Sequence, residues 1–159
     1  MNQSSKYQQK RKKAILIPDI ICGLLILLFA YTAFSKVIEF AKFRNVLKEA
    51  PLIGNYAMFL AALILAAELV IVLLLILPQT KKTGLTAATG LLTVFTVYLV
   101  FMVFIDPNLP CSCGGIVQQL SWKQHIAFNV FFIILGIIGI YFQRTVFIEK
   151  QRTDILQKS

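Results

Sequence analysis

Histidine occurs once in the 159 residues, cysteine three times and acidic side chains seven times. The chain has no histidine cluster at metal-ligand spacing, no glycine-rich phosphate cradle and no Ser-His-Asp pattern. Three cysteines are too few for a disulfide scaffold. Long polar stretches are missing too. The longest are the two tails, which leaves no room for a separate soluble domain, so the chain reads as one domain.

The shortage of acid leaves a net charge of +9 from 16 Lys and Arg. In a soluble protein that excess would suggest nucleic acid. Here the cations flank apolar runs, as a membrane protein requires, and nucleic-acid binding is set aside. What the chain has in abundance is apolar surface: 58% of residues are hydrophobic and the mean hydropathy is +0.77. About 45–50% is usual for a soluble domain. The apolar residues fall in four runs, each close to the ~20 residues needed to cross a bilayer.

Residues 1–13 form a basic tail with Lys6, Lys10, Arg11, Lys12 and Lys13. The first span is expected over 14–35. It is longer than the ~7–15-residue apolar core of a signal peptide, and no small-x-small cleavage site follows it, so a retained helix is expected. Pro18 is placed near the first turn of that helix, where a missing N–H costs least. Residues 36–50 are amphipathic at helical spacing: Phe40, Phe43, Leu47 and Ala50 share one face, with Lys42, Asn45, Lys48 and Glu49 opposite. A short interfacial helix is expected there, ended by Pro51 and Gly54.

The second span is expected over 55–77 and carries one ionisable residue, Glu68. Pro78 to Lys82 form a hydrophilic turn. The third span, over 83–105, repeats Thr86, Thr89, Gly90, Thr93 and Thr96 along what reads as a packing stripe. The fourth is expected over 122–142, with Trp122, Lys123 and His125 as an interfacial set at its start. Residues 143–159 form a second basic tail. The expectation is an all-α integral membrane four-helix bundle with an amphipathic helix after the first span.

Four spans put both tails on one side. Eleven Lys and Arg lie on the side of the tails and Lys81-Lys82, and five lie on the other. The positive-inside rule then makes both termini cytoplasmic and turns segments 36–54 and 106–121 outward; the expected location is a bacterial inner membrane, with 106–121 facing the periplasm.

The outward segment 106–121 holds Pro110-Cys111-Ser112-Cys113-Gly114-Gly115. Disulfides form and persist on that side. A C-x-C disulfide closes a very small ring and removes little chain entropy, so it is a poor staple. Its tight geometry favours reducibility. Gly114 and Gly115 permit a tight backbone after the pair. Three readings stay open: redox exchange, a soft-metal (Cu or Hg type) site on Cys111 and Cys113, or a static loop in a structural subunit. Cys22 reads as a buried apolar side chain.

Glu68 is expensive in a bilayer unless partnered, and the threonine stripe, Tyr98 and Asn129 are its candidate partners. Asp19, nearer an interface, is expected among headgroups. His125 and Asn129 are four residues apart, so they share a helix face below the cysteine segment. A histidine there could favour a thiolate or pass a proton. Lys36 on the same side could lower a thiol pKa.

The Cys-x-Cys-Gly after the third of four spans, Leu120-Ser121-Trp122, Asn129, Phe34-Ser35-Lys36 with Phe43, and Glu68 together resemble the MauE-type methylamine-utilisation family, within the DoxX-like membrane proteins. The resemblance covers about residues 15–142. It implies a membrane component of periplasmic thiol–disulfide chemistry working with a thioredoxin-like partner or a disulfide-containing client. Cys111 and Cys113 would then be the exchanging pair of a thiol–disulfide oxidoreductase; Cys113 is expected to be the better placed nucleophile, because Gly114-Gly115 free backbone N–H groups and lie close to the start of the fourth span, with His125 assisting. Glu68, Asn129, Trp122, Gly114, Gly115 and Lys36 would support them. The architecture is also like four-helix quinone-coupled disulfide generators, which use more than one cysteine pair. Only one outer pair exists here, and a quinone cofactor is left open.

Overall fold

A computed structural model of the chain describes residues 3–49, 54–105 and 122–158. Among them it places five α-helices, one 3₁₀ turn at Gly54–Tyr56 and no strand. The helices are α1 (Gln3–Ile38), α2 (Phe40–Glu49), α3 (Ala57–Ile76), α4 (Lys81–Ile105) and α5 (Trp122–Lys158). Four of them are long and apolar enough to cross a membrane, over Leu16–Ile38, Ala57–Ile76, Lys81–Phe104 and Lys123–Thr145. The protein is an all-α integral membrane bundle.

The helices close a four-sided ring. α1 packs on α3 and α5, and α4 packs on α3 and α5, so α1 and α4 face each other across a diagonal. The ring surrounds a core of Ile21, Leu25, Phe29, Ile71, Leu75, Leu85, Leu92 and Phe132. Large apolar side chains also cover its outside; Phe104, for example, is 84% exposed. That surface is unaffordable in water and natural in lipid. Cys22 is buried in the core, in line with its sequence reading.

α1 and α5 are 36 and 37 residues long, about 55 Å at 1.5 Å per residue, and so outrun a hydrocarbon core of about 30 Å. The first basic tail is thus largely the start of α1. This corrects the expected position of Pro18, which sits well inside a helix that starts at Gln3. Its ring removes one backbone hydrogen bond there, toward the carbonyl four residues earlier.

α3 and α4 form a tight hairpin. Thr80 Oγ1 donates to the Leu74 carbonyl at 2.9 Å, and Gly84 N–H donates to the Thr80 carbonyl at 2.8 Å. Gly84 is required by proximity: a Cβ there would stand 2.9 Å from Leu74 C and from Leu75 N. At the other end, α1 turns into α2 at Glu39 with hardly a break. Glu39 N–H donates to the Ser35 carbonyl at 2.9 Å, and Phe43 N–H to the Glu39 carbonyl at 3.0 Å. α2 then lies on α3, burying Phe43 and leaving Lys42, Asn45 and Lys48 exposed. That is the amphipathic division its sequence spacing dictates. Ala50 lies outside the described residues.

The threonine repeat divides between two surfaces. Thr89 and Thr96 are buried, whereas Thr86, Gly90 and Thr93 are exposed. At 100° per residue the repeat covers a broad arc, and only its edge turns into the ring. Thr86, Thr89, Thr93 and Thr96 each donate to the carbonyl four residues earlier, so their hydroxyls are satisfied within α4.

Candidate functional site

The buried polar side chains concentrate toward one end of the ring. They are Ser35 and Lys36 on α1, Glu68 on α3, Thr96 on α4, and His125 and Asn129 on α5, with Thr89 deeper in. Cross-helix contacts fix their relative heights. Gly139 meets Leu85 and Ile21. Lys36 is fifteen residues beyond Ile21 on α1, and His125 is fourteen before Gly139 on the antiparallel α5. Both backbones therefore stand about 22 Å from that contact, at one level of two packed helices. Likewise Gly136 faces Thr89. Seven residues on from each, two full turns later, come Asn129 and Thr96, which therefore face one another across the α4–α5 seam.

Lys36 and Glu68 make the principal contact. Lys36 Nζ lies 2.5 Å from Glu68 Oε1, with the two side chains only 4% and 2% exposed. The ammonium also sits 5.5 Å from the Phe43 ring centroid and 6.0 Å from that of Phe95. One cation from α1 thus touches α2, α3 and α4. Thr32, one turn before Lys36, stands beside the same carboxylate and donates its hydroxyl to the Phe29 carbonyl at 3.1 Å. Glu68 Oε2 is buried and has no hydrogen-bond partner among the described residues.

Two expectations are corrected. Glu68 pairs with Lys36 rather than with the threonines, Tyr98 or Asn129. Lys36, expected as an outward-side cation able to act on a thiol, is instead the buried ion-pair partner of Glu68. The physical reason is reach. A lysine stem extends over several ångströms of apolar surface, so a residue two positions from the end of α1 can place its charge inside the bundle. Asp19, by contrast, stays half exposed, 52% against 27% for its partner Lys81 at 2.7 Å.

Of the other candidate residues, His125 and Asn129 lie on one buried face of α5, 4% and 6% exposed. Trp122 is the first residue of that helix. Cys111, Cys113, Gly114 and Gly115 lie outside the described residues. Among the described residues no group of three His, Cys, Asp or Glu side chains could hold a metal. Phe43 and Phe95 were not visible as site residues in the sequence. Phe43 entered only as part of an amphipathic face and of the family resemblance, and Phe95 is one aromatic among many in an apolar run.

These features define an all-α integral membrane bundle with a lysine–carboxylate pair buried between its helices. The chain belongs to the family described as methylamine utilisation protein MauE, whose model matches residues 13–142. No curated protein and no solved structure matches the chain.

Proposed function

We propose that this protein exchanges electrons between an extracytoplasmic dithiol or disulfide protein and its own Cys111/Cys113 pair, at the membrane surface. The observation that carries the reading is that the family match runs straight through Pro110-Cys111-Ser112-Cys113-Gly114. The bundle supports it. Segment 106–121 joins Ile105 to Trp122, so both its ends are anchored where His125, Asn129 and the Lys36–Glu68 pair are buried.

The exchange is a two-electron step. Cys113 thiolate attacks one sulfur of the partner's disulfide, the partner's S–S bond breaks, and a mixed disulfide forms. Cys111 then attacks Cys113 Sγ and releases the partner as a dithiol, leaving Cys111–Cys113 oxidised. Two protons leave the cysteine pair and two are taken up by the partner's sulfurs, and the reverse sequence oxidises the partner. His125, on the first turn of α5 after this segment, is the imidazole available to pass a proton to or from the cysteine pair. Both termini are taken as cytoplasmic and segment 106–121 as periplasmic, from the charge distribution.

The test is thiol trapping in intact cells by acid quench and maleimide mass-tagging. The pair should be found in both redox states. Cys111→Ser should accumulate a mixed disulfide through Cys113 with a thioredoxin-like protein or a client. A pair fixed in one state with no adduct from either single variant would sink the proposal. Stoichiometric copper or mercury on the purified protein, lost in Cys111→Ser, would favour the soft-metal reading instead.

A further inference from the structure

The surroundings of the Lys36 ammonium carry an inference of their own. Its neighbours are a carboxylate oxygen from α3, an aromatic ring from α2 and another from α4. None of these three groups comes from α1, although Thr32 of α1 also stands beside the carboxylate, so all three belong to the bundle independently of the lysine. A carboxylate with two aromatic faces within about 6 Å is the chemistry that recognises an ammonium ion: the charge is met by the carboxylate and the C–H periphery by the rings. Glu68 offers more than Lys36 uses. Its Oε2 is buried, with no hydrogen-bond partner among the described residues. An ammonium free of the lysine tether has three N–H donors and could centre itself between the two oxygens.

We propose that Glu68, Phe43 and Phe95 form a binding site for a primary ammonium group, occupied in this structure by the protein's own Lys36, and that its external ligand is a small primary alkylammonium ion. Lys36 acts as a tethered competitor. Its Cα lies two residues from the end of α1, beside the turn at Glu39. The stem can therefore withdraw toward the bundle end and open the site from there. The site stands whether or not Cys111 and Cys113 exchange electrons, because none of its groups belongs to segment 106–121.

The probe is methylammonium chloride, whose two heavy atoms reproduce the Cε–Nζ end of lysine. It is added to full-length protein in detergent micelles, and thermal unfolding is followed. Lys36→Ala empties the site and lowers the Tm. Methylammonium should raise that Tm progressively with the logarithm of its concentration, as a ligand binding only the folded state must. Potassium chloride at equal ionic strength, and the bulkier tetramethylammonium, should not. Lys36→Ala/Glu68→Gln should lose the response, and the wild type should respond only at higher concentration because Lys36 must first be displaced. If Lys36→Ala is poorly recovered, purification with and without methylammonium makes the yield of folded protein the readout. No recovery of Tm or yield, or equal recovery with potassium, overturns the proposal.

Discussion

The two ends of the bundle each carry one lysine–carboxylate pair between helices, and the pairs have opposite surroundings. At one end Asp19 and Lys81 join α1 to α4 at 2.7 Å, over half of the aspartate is exposed, and the core beneath includes Ile21, Leu25, Leu75 and Leu85. At the other end Lys36 and Glu68 join α1 to α3 with both side chains buried, among Ser35, Thr96, His125 and Asn129. Distance does not separate them, since both are in hydrogen-bond contact. Solvation does. An exposed pair exchanges one set of polar partners for another, so little is gained or lost. A buried pair has given up its hydration, and its Coulomb attraction does little more than offset that. Apolar side chains would hold the Lys36 end together at least as well. Neither pair is therefore a strong fastening, and we propose that the buried one is kept for the site rather than for stability.

The contrast is most exposed to attack at Glu68. Glu68→Ala leaves Lys36 charged and unpaired in the bundle and should cost about 3–5 kcal/mol, read as a large Tm loss in detergent. Lys36→Met/Glu68→Leu removes both charges at similar volume. It should fold with stability within about 1 kcal/mol of the wild type, or above it. If the double variant is as unstable as the single one, the pair is a structural necessity and the contrast drawn here is wrong. If it is stable yet loses thiol exchange, the functional reading gains a support that Cys111 and Cys113 variants cannot give.

That half of the contrast was only partly legible in the sequence. Four apolar runs announce the four spans because backbone groups in lipid leave few alternatives to long helices. Glu68 announces itself as a charge inside such a run. Its partner does not. Lys36 sits at the end of an apolar run, where cations stand by default, and nothing local says that its stem folds back along the helix. The helix faces of His125 and Asn129 follow from their spacing of four. The Thr96–Asn129 opposition does not, because it depends on the register between α4 and α5, set by Gly136 meeting Thr89. Pro18 was misplaced for a related reason. Hydropathy marks where the membrane starts, whereas α1 starts eleven residues before the apolar run opens at Ala14, on a mostly polar stretch.

The Asp19 end is held by close packing, and its glycines test that claim at intermediate magnitude. Gly84→Ala would press a methyl group against the backbone of Leu74 and Leu75, which cannot move aside without opening the α3–α4 hairpin. A loss of about 1–3 kcal/mol is expected. Gly90→Ala, six residues further along the same helix, meets nothing within 4 Å and should change stability by about 0.5 kcal/mol or less. Comparing the two unfolding temperatures separates backbone proximity from the general effect of replacing a helical glycine. Equal losses would remove packing as the explanation for this end.

The smallest effect belongs to Asp19 itself. Asp19→Asn keeps the side-chain volume and removes the charge opposite Lys81. Lys81 is already about a quarter exposed, so its ammonium can turn to water or lipid headgroups without a buried charge being stranded. The expected loss is therefore below about 1 kcal/mol. It should also shrink as salt is raised, because an exposed pair at a helix end is open to counterions. Glu68→Ala should keep most of its penalty in the same salt series, since simple salt screens poorly a charge whose side chain is only 4% exposed. Strong salt dependence at Asp19 and weak salt dependence at Glu68 would separate a solvated pair from a desolvated one at nearly the same chemical composition. A penalty at Asp19 as large as that at Glu68, and equally indifferent to salt, would mean that both ends are buried in the native membrane and that the two pairs share one role.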